Sequence, residues 1–256
     1  LRVSHNAESS TAGSRSWRAT LRRSLRLFTA FRFEQPDPAR FYSAIAQDSV
    51  GQLSTYTTLD GALLLDVGGG PGYFRDAFEA AGSTYFSLDA DAGELAGMGG
   101  DIPDRTVLGS GMELPFRDAC LDVTYSSNVL EHVPEPWRMA EEMVRVTKPG
   151  GLVFISYTVW FGPWGGHETS PWHYLGGARA ARRFRRKHGR EPKNLFGTSM
   201  YAVTVQAGID WAARQTGGEV LDVIPRYNPR WSYWMLKVPV LREIVTWNLV
   251  IVLRKK

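Results

Sequence analysis

Three glycines that follow a short apolar run point most directly to chemistry in this chain. Asp66 lies two positions before the first of them, and Gly68, Gly70 and Gly72 are spaced two positions apart. Glycine adopts backbone angles that other residues avoid, and it lets a ligand approach the main chain closely. A helix that begins soon after such a turn directs free backbone N–H groups towards the ligand. The pattern predicts a binding turn between a buried strand at 63–67 and a helix at 73–81.

The spacing of these residues decides between two classes of ligand. A dinucleotide fingerprint is G-x-G-x-x-G, and its third glycine would fall at Tyr73. A carboxylate at Asp66 would repel a pyrophosphate, whereas it would attract an ammonium group. S-adenosylmethionine has an ammonium and a sulfonium and no phosphate. The pattern therefore favours this cofactor over NAD, and a glycine-rich turn without a ligand is the alternative.

Further candidate residues follow along the chain in the order that such a site needs. Asp89 ends a predicted strand at 84–89, at about the distance from the glycines expected of a carboxylate that binds ribose hydroxyls. A surface turn is the alternative for this acid. The loop at 108–116 contains Ser110, Gly111 and Met112, and Asn128 follows a predicted strand at 121–127. Ligands of open α/β sheets bind at the carboxyl ends of the strands, so we expect these residues to meet at one edge.

Together these motifs resemble those of the class I, Rossmann-like S-adenosylmethionine-dependent methyltransferases, and most of all the ubiquinone and menaquinone C-methyltransferases. The resemblance covers about residues 61–157 and includes the pattern S-x-x-V-L-E-H-V at 126–133. It implies that Asp89 binds the ribose. In the family an aspartate usually contacts the adenine where this chain has Ser110, so adenine contact is expected from Ser110 and from the backbone of Gly111 and Met112. Ordinary core packing is the alternative for Met112.

The resemblance also implies the fold. We expect an α/β protein with a seven-stranded, mostly parallel sheet, helices on both faces, an antiparallel last strand and a lid insertion after strand five. Further strands are predicted at 151–157, 220–227 and 249–253, and a helix is predicted at 136–147. With 256 residues, 43% of them apolar, the chain can bury the core of one such domain, predicted at 17–256.

Composition limits the other functional classes. The single cysteine, Cys120, excludes an internal disulfide and a multi-cysteine metal site, and the five histidines lack paired metal spacing, so no metal is expected. Residues 1–16 are rich in serine and small polar residues and are predicted to be disordered. No apolar run has the length of a membrane span, and no signal-peptide core is present, which predicts a cytoplasmic protein.

Residues 17–55 are predicted to form two cap helices. In the first, Trp17, Leu21, Leu25 and Phe28 share one face, and arginines occupy most of the rest. This basic amphipathic helix either packs on the domain, which we favour, or lies on an anionic membrane as a peripheral contact. The second, at 39–54, is expected to cover the mouth of the cofactor site.

The lid insertion at 158–197 combines aromatic residues with an arginine-rich helix at 178–187. Long loops at the ligand edge of a sheet are usually functional, so it is expected to shape the acceptor pocket together with a second apolar segment near 231–241. Mixtures of arginine and aromatic residues also occur in nucleic-acid binders, which we disfavour because no RNA-binding module is present.

The predicted reaction is methyl transfer from S-adenosylmethionine to a small, hydrophobic or lipid-like acceptor, on oxygen or carbon. An acceptor that must lose a proton needs a base, and the catalytic candidates are His132, His167 and His173, with Glu131 and Tyr174 as further candidates. Two alternatives are a non-catalytic protein that binds the same cofactor and an NAD-dependent oxidoreductase on a similar fold. The sequence leaves the oligomeric state open.

Overall fold

A seven-stranded sheet forms the centre of the computed structural model, which describes residues 17–33, 37–96 and 104–256. The predicted disordered segment 1–16 lies outside these residues. The strands run in the order β3-β2-β1-β4-β5-β7-β6, and only β7 is antiparallel to its neighbours. Their bounds are β1 Leu63–Val67, β2 Thr84–Asp89, β3 Thr106–Leu108, β4 Leu121–Ser127, β5 Thr147–Thr158, β6 Gly218–Pro225 and β7 Asn248–Lys255. The sheet confirms the predicted fold class.

The strand order reverses between β1 and β4, which pair in parallel through Leu65 and Thr124. The chain leaves β1 towards one side of the sheet and leaves β4 towards the other, so a crevice opens between their carboxyl ends. Asp66, at the end of β1, lies beside Tyr125 of β4 and Ser87 of β2. The predicted cofactor residues therefore follow strands that end at one edge.

Helices cover both faces of the sheet. Their bounds in chain order are α1 Leu21–Ala30, α2 Pro38–Leu53, α3 Arg75–Ala80, α4 Ala92–Ala96, α5 Pro136–Val146, α6 Gly177–His188, α7 Val205–Arg214 and α8 Leu241–Val245. Short 3-10 turns occur at Phe31–Phe33, Leu130–His132, His167–Thr169, Trp172–Leu175 and Arg230–Lys237. The predicted helix at 73–81 starts later, at Arg75, because the glycine turn continues through Tyr73.

Adjacent β1 residues face opposite halves of the core. Leu64 packs with Phe41 of α2 and Phe78 of α3, whereas Leu65 belongs to the cluster that contains Met139 of α5. Both leucines are fully buried. A parallel strand that is covered on both faces reads as a continuous apolar run, which explains why this segment shows no alternation.

Helix α1 packs on the domain through a face that the sequence did not predict. Thr20 caps the helix by accepting a hydrogen bond from the Arg23 N–H, so the helix begins at Leu21 and excludes Trp17. Its buried residues are Arg23, Ser24 and Leu27. Of the apolar residues that were expected to face the core, Leu21 is 53% exposed and Leu25 is 58% exposed, while Phe28 is 39% exposed and contacts Trp247. A buried ion pair from Arg23 to Asp48 of α2, at 2.5 Å, fixes this orientation.

Candidate active site

The glycine turn after β1 has the left-handed backbone angles that glycine allows. The φ angles of Gly68, Gly70 and Gly72 are 81°, 49° and 84°, a region that favours glycine. A Cβ atom on Gly68 would overlap the methyl groups of Val129, which follows β4. A Cβ atom on Gly70 would meet only Asp89, at 4.0 Å, so the outer side of this turn is open to a ligand.

Asp89 connects the end of β2 to the glycine turn. Its Oδ2 accepts a hydrogen bond from the Gly70 N–H at 2.9 Å, and its Oδ1 accepts one from the Asp91 N–H at 3.0 Å. The carboxylate is half-buried. Each carboxylate oxygen has two acceptor sites, so Asp89 can hold the turn and still accept hydrogen bonds from ribose hydroxyls.

Asp66 lies directly behind the turn, since a Cβ atom on Gly69 would be 3.2 Å from its Oδ2. The residue is 2% exposed, and the Tyr85 hydroxyl donates a hydrogen bond to Oδ2 at 2.6 Å. The pKa of Asp66 is raised to about 7, mainly by burial; the Tyr85 hydrogen bond opposes the increase and the charge of Asp89 adds to it. A buried carboxylate of this kind gains from a nearby cation, as the ammonium of the predicted cofactor would be.

The loop after β3 passes over the end of β1. A Cβ atom on Gly111 would be 3.0 Å from the Met139 sulfur and 3.1 Å from a Val67 methyl, so this position has little room for a side chain. The Ser110 hydroxyl accepts a hydrogen bond from the Met112 N–H at 3.2 Å. Met112 is half-buried and packs against the core, so its predicted contact with adenine stays a prediction beside the packing role.

Asn128 ends β4 in a left-handed conformation, with φ at 58°. Its backbone N–H donates to the Ser156 carbonyl at 2.9 Å, and its side-chain oxygen accepts from the Asn248 amide at 2.6 Å. The bend turns the chain into Leu130–His132 at the cofactor edge.

Helix α2 contacts the glycine turn from outside the sheet. The ring of Tyr42 stacks on that of Tyr73, with centroids 4.7 Å apart and an interplanar angle of 6°. The second cap helix therefore lies beside the glycine turn, and its cover over the mouth of the cofactor site stays a prediction.

The structure brings two of the three catalytic candidates together. His132 lies in the turn after β4 and His167 lies in the lid insertion, and their ring centroids are 5.1 Å apart. His132 Nδ1 lies 2.7 Å from the Ser199 carbonyl oxygen. The pKa of His167 is lowered to about 3, mainly by burial and also by the neighbouring His132 and His173, so the ring is neutral at physiological pH.

Glu131 joins this pair from the buried side. It is 2% exposed, and its Oε1 accepts a hydrogen bond from the Thr158 N–H at 3.0 Å. Its carbonyl accepts from Tyr201 at 2.7 Å, so the returning end of the insertion is tied to the β4 turn.

The remaining candidates occupy different surroundings. His173 is 1% exposed and packs its ring edge-on against Trp160 at 5.4 Å, and burial lowers its pKa. Its Nδ1 lies 3.3 Å from the Ser170 hydroxyl. Tyr174 is 44% exposed and donates its hydroxyl to the Phe161 carbonyl at 3.1 Å, which places it at the surface of the lid.

Sequence reasoning missed Arg226, which follows β6 and is 1% exposed. Its guanidinium donates to the hydroxyls of Ser127, Ser156 and Ser49 at 2.7, 2.8 and 2.7 Å, and thereby joins β4, β5 and α2 near the cofactor edge. A single arginine at the end of a strand has no local signature, because its partners are far away in the sequence.

Aromatic residues from three separate segments meet beside this edge. Phe28 of α1 and Trp164 of the lid both contact Trp247, with ring centroids 3.7 and 5.6 Å apart. Phe31 packs edge-on against Tyr227 at 5.2 Å and Trp247 at 6.0 Å. The N-terminal cap and the lid therefore share one aromatic cluster.

The family model and the relatives that match this chain are all described as methyltransferases. Residues 65–155 match the family model described as a methyltransferase domain. An uncharacterized methyltransferase of Mycobacterium sp. (strain KMS) is 53% identical over 244 residues, which cover 93% of this chain and 96% of that protein. A second, of Mycobacterium tuberculosis (strain ATCC 25618 / H37Rv), is 54% identical over 245 residues, which cover 92% of this chain and 96% of the relative.

Solved structures share the fold at low sequence identity. An S-adenosylmethionine-dependent methyltransferase from Mesorhizobium loti has a TM-score of 0.54 and 18% identity, over 84% of this chain and 98% of that one. Geranyl diphosphate C-methyltransferase from Streptomyces coelicolor A3(2) has a TM-score of 0.53 and 15% identity, over 81% and 77% of the two chains. The relatives are named methyltransferases, which favours methyl transfer over the oxidoreductase alternative.

Proposed function

Because this chain belongs to the class I, S-adenosylmethionine-dependent methyltransferases, we propose that it transfers the methyl group of S-adenosylmethionine to a small hydrophobic acceptor, on oxygen or carbon. The observation that carries the acceptor class is the aromatic cluster of Phe28, Trp164 and Trp247 beside the cofactor edge. Aromatic side chains bind large apolar or aromatic partners well. The narrower resemblance to ubiquinone and menaquinone C-methyltransferases fits this class and is part of the proposal.

The cofactor site fits the group that the family uses. The buried Asp66 carboxylate would attract the ammonium, and the Asp89 carboxylate would accept hydrogen bonds from the ribose hydroxyls. The open side of Gly70 would leave space for the cofactor beside the turn. Ser110, Gly111 and Met112 would contact the adenine. When bound, the cofactor supplies a methyl group on a positively charged sulfur, which is already a strong electrophile.

The protein then has to position the acceptor, exclude water and accept a proton where one is released. Transfer forms one bond from the acceptor atom to the methyl carbon and breaks the carbon–sulfur bond, whose electrons return to sulfur. Holding the reacting atoms in line supplies much of the rate enhancement. An acceptor hydroxyl or an acidic carbon also loses a proton, and His132 lies at the cofactor edge with Nδ1 directed at a carbonyl, which leaves Nε2 free to accept it.

The lid offers a matched pair of tryptophans for the experiment. Trp164 and Trp172 are 47% and 43% exposed, but Trp164 contacts the aromatic cluster, whereas Trp172 stacks under Arg183 at 3.8 Å. We expect Trp164→Ala to lower kcat/KM for an alkylated hydroquinone and Trp172→Ala to leave it nearly unchanged. S-adenosylhomocysteine affinity should stay the same in both variants.

The outcomes of that assay separate the alternatives. Turnover of a small polar amine but not of the alkylated hydroquinone would contradict the hydrophobic acceptor. Equal loss in the two tryptophan variants would remove the aromatic cluster from the acceptor site. Intact cofactor binding without turnover of a broad acceptor panel would favour the non-catalytic binding protein.

Peripheral contact with an anionic membrane is a second part of the proposal. Leu21, Leu25 and Phe28 form the exposed face of α1, and exposed arginines flank it. Among the described helices, none is both long and apolar enough to cross a bilayer. The Arg230 N–H donates to the Ala19 carbonyl at 2.8 Å, which places the segment containing the exposed Trp231 and Trp234 next to the start of α1. Apolar faces flanked by arginine bind anionic bilayers.

Sedimentation with phosphatidylglycerol-containing vesicles tests this contact. Leu25→Glu should abolish binding, and Leu108→Glu, at a residue of similar exposure on β3, should not. Binding of the wild type should fall as salt rises, because salt screens the arginines. Absence of binding at low salt would limit the proposal to a hydrophobic acceptor without a membrane surface.

A further inference from the structure

Three potential metal ligands converge at the junction between the β4 turn and the lid. Glu131, His132 and His167 each offer one ligand atom, and these atoms lie within 4.8 Å of one another. The first two residues are adjacent in sequence, but His167 comes from the insertion after β5. The sequence predicted no metal site because this spacing matches no metal-binding motif, and only the path of the insertion creates the cluster.

The hydrogen bonds of His132 leave a free lone pair on the ring. A carbonyl oxygen can only accept, so the 2.7 Å contact with Ser199 places a proton on Nδ1 and leaves Nε2 to donate electrons to a metal. Histidines that bind metals nearly always donate their other ring N–H to a carbonyl or carboxylate in this way. This contact fixes the ring orientation before any ion binds.

Glu131 and His167 each have a polar atom with unmet bonding capacity. Glu131 Oε2 and His167 Nε2 are buried and lack a hydrogen-bond partner among the described residues. The second carboxylate oxygen of Glu131 is already held by the Thr158 N–H at 3.0 Å. Burying polar atoms without a partner is costly, and most such atoms in folded proteins are satisfied. A cation between them would satisfy both.

From this geometry we propose that Glu131, His132 and His167 bind a divalent transition-metal ion, with zinc as the best match. Imidazole nitrogens favour zinc and neighbouring transition metals over magnesium and calcium, and a set of two histidines and one glutamate is a known zinc ligand set. Tetrahedral ligands at zinc lie roughly 3.4 Å apart. The three ligand atoms, now within 4.8 Å of one another, would therefore move closer to each other when zinc binds. Three protein ligands leave a position for water or an oxygen of a small molecule.

Metal binding and proton acceptance exclude each other at this site. A metal occupies the Nε2 lone pair of His132 that a proton acceptor needs. The ion would also fasten the lid to the β4 turn, because His167 is the ligand that the lid contributes. The site does not depend on methyl transfer, so its test is independent of the proposed function.

Calorimetric titration of chelator-treated protein with zinc chloride at neutral pH tests the proposal. We expect one zinc ion per chain, and Glu131→Gln and His167→Gln should each weaken binding at least roughly tenfold. His188→Gln is the matched control, since His188 is exposed on α6, packs on Phe184 and is not one of the three proposed ligands. Magnesium and calcium should not bind there.

Cobalt(II) gives a second readout, since coordination to the histidines produces visible absorption that Glu131→Gln and His167→Gln lose. S-adenosylhomocysteine affinity and circular dichroism report whether each variant is folded. Zinc binding that is absent from the wild type, or unchanged in His167→Gln, would overturn the site. Zinc binding without cofactor binding would uphold the metal site and contradict the methyltransferase proposal.

Discussion

Replacing Asp89 by alanine should weaken cofactor binding more than replacing the neighbouring Asp91 by alanine. The Asp89 carboxylate accepts N–H groups from Gly70 at 2.9 Å and Asp91 at 3.0 Å. In the proposed complex it also accepts the ribose hydroxyls. Asp89→Ala therefore removes direct cofactor contacts and the anchor of the glycine turn in a single step.

The size of the effect follows from these hydrogen bonds. Hydrogen bonds to a charged group contribute about 1.5–3 kcal/mol each, but water can replace part of that at a half-buried site. We expect an affinity loss of about 1–3 kcal/mol, which is roughly 5- to 140-fold in Kd. The free energy of unfolding should fall by about 1 kcal/mol, because the freed Gly70 N–H can be hydrated.

Isothermal titration with S-adenosylhomocysteine measures this loss, and Asp91→Ala is its control. The exposed Asp91 accepts the N–H groups of Gly93 and Glu94 at 2.7 and 3.4 Å at the start of α4. Its removal should cost about 1 kcal/mol of stability and change the cofactor affinity by less than about twofold. An affinity loss in Asp91→Ala as large as in Asp89→Ala, or none in Asp89→Ala, would refute the assignment of the ribose contact.

Further predictions concern Asp66 and the glycine turn. Since Asp66 titrates near pH 7 when folded, well above its ordinary value of 3.8, its contribution to stability should fall as pH rises from about 4 to 8. The cofactor ammonium prefers the ionised form of Asp66, so S-adenosylhomocysteine affinity should rise between pH 5.5 and 7.5. Asp66→Asn should flatten the pH dependence of both stability and affinity. A pH dependence that persists in this variant would implicate another group. Gly68→Ala should lower the free energy of unfolding by about 2–4 kcal/mol. Gly61→Ala should lower it by only about 1 kcal/mol, because Gly61 has a φ of 73° but open space around it. Denaturation curves measure both, and Val129→Ala should rescue part of the Gly68→Ala loss; equal losses at the two glycines would show that Val129 does not restrict the turn.

The fold was predictable because its signals are local. Leu63–Val67 is a mostly apolar run, and the glycines after it adopt left-handed angles. The face on which α1 packs was not predictable. Its orientation depends on Arg23 reaching Asp48, an ion pair across 25 residues that places a charged side chain where periodicity placed leucines.

Part of the candidate site could be predicted from the sequence, and part could not. Asp66 and Asp89 follow strands that the chain itself reveals, so their shared edge could be predicted. His132 and His167 lie close together because the lid folds back across the β4 turn, and no local sequence pattern indicates how the lid folds. Arg226 also lies beyond sequence reasoning, because the three hydroxyls it contacts belong to three separate elements.

A crystal structure of the protein with S-adenosylhomocysteine tests the central claim most directly. We expect the ribose hydroxyls within about 3 Å of the Asp89 carboxylate, as charge-assisted hydrogen bonds require, and the ammonium on the Asp66 side of the glycine turn. The adenine should lie against Gly111 and Met112. Ligand density elsewhere on the protein, or a ribose without contact to Asp89, would contradict this cofactor site.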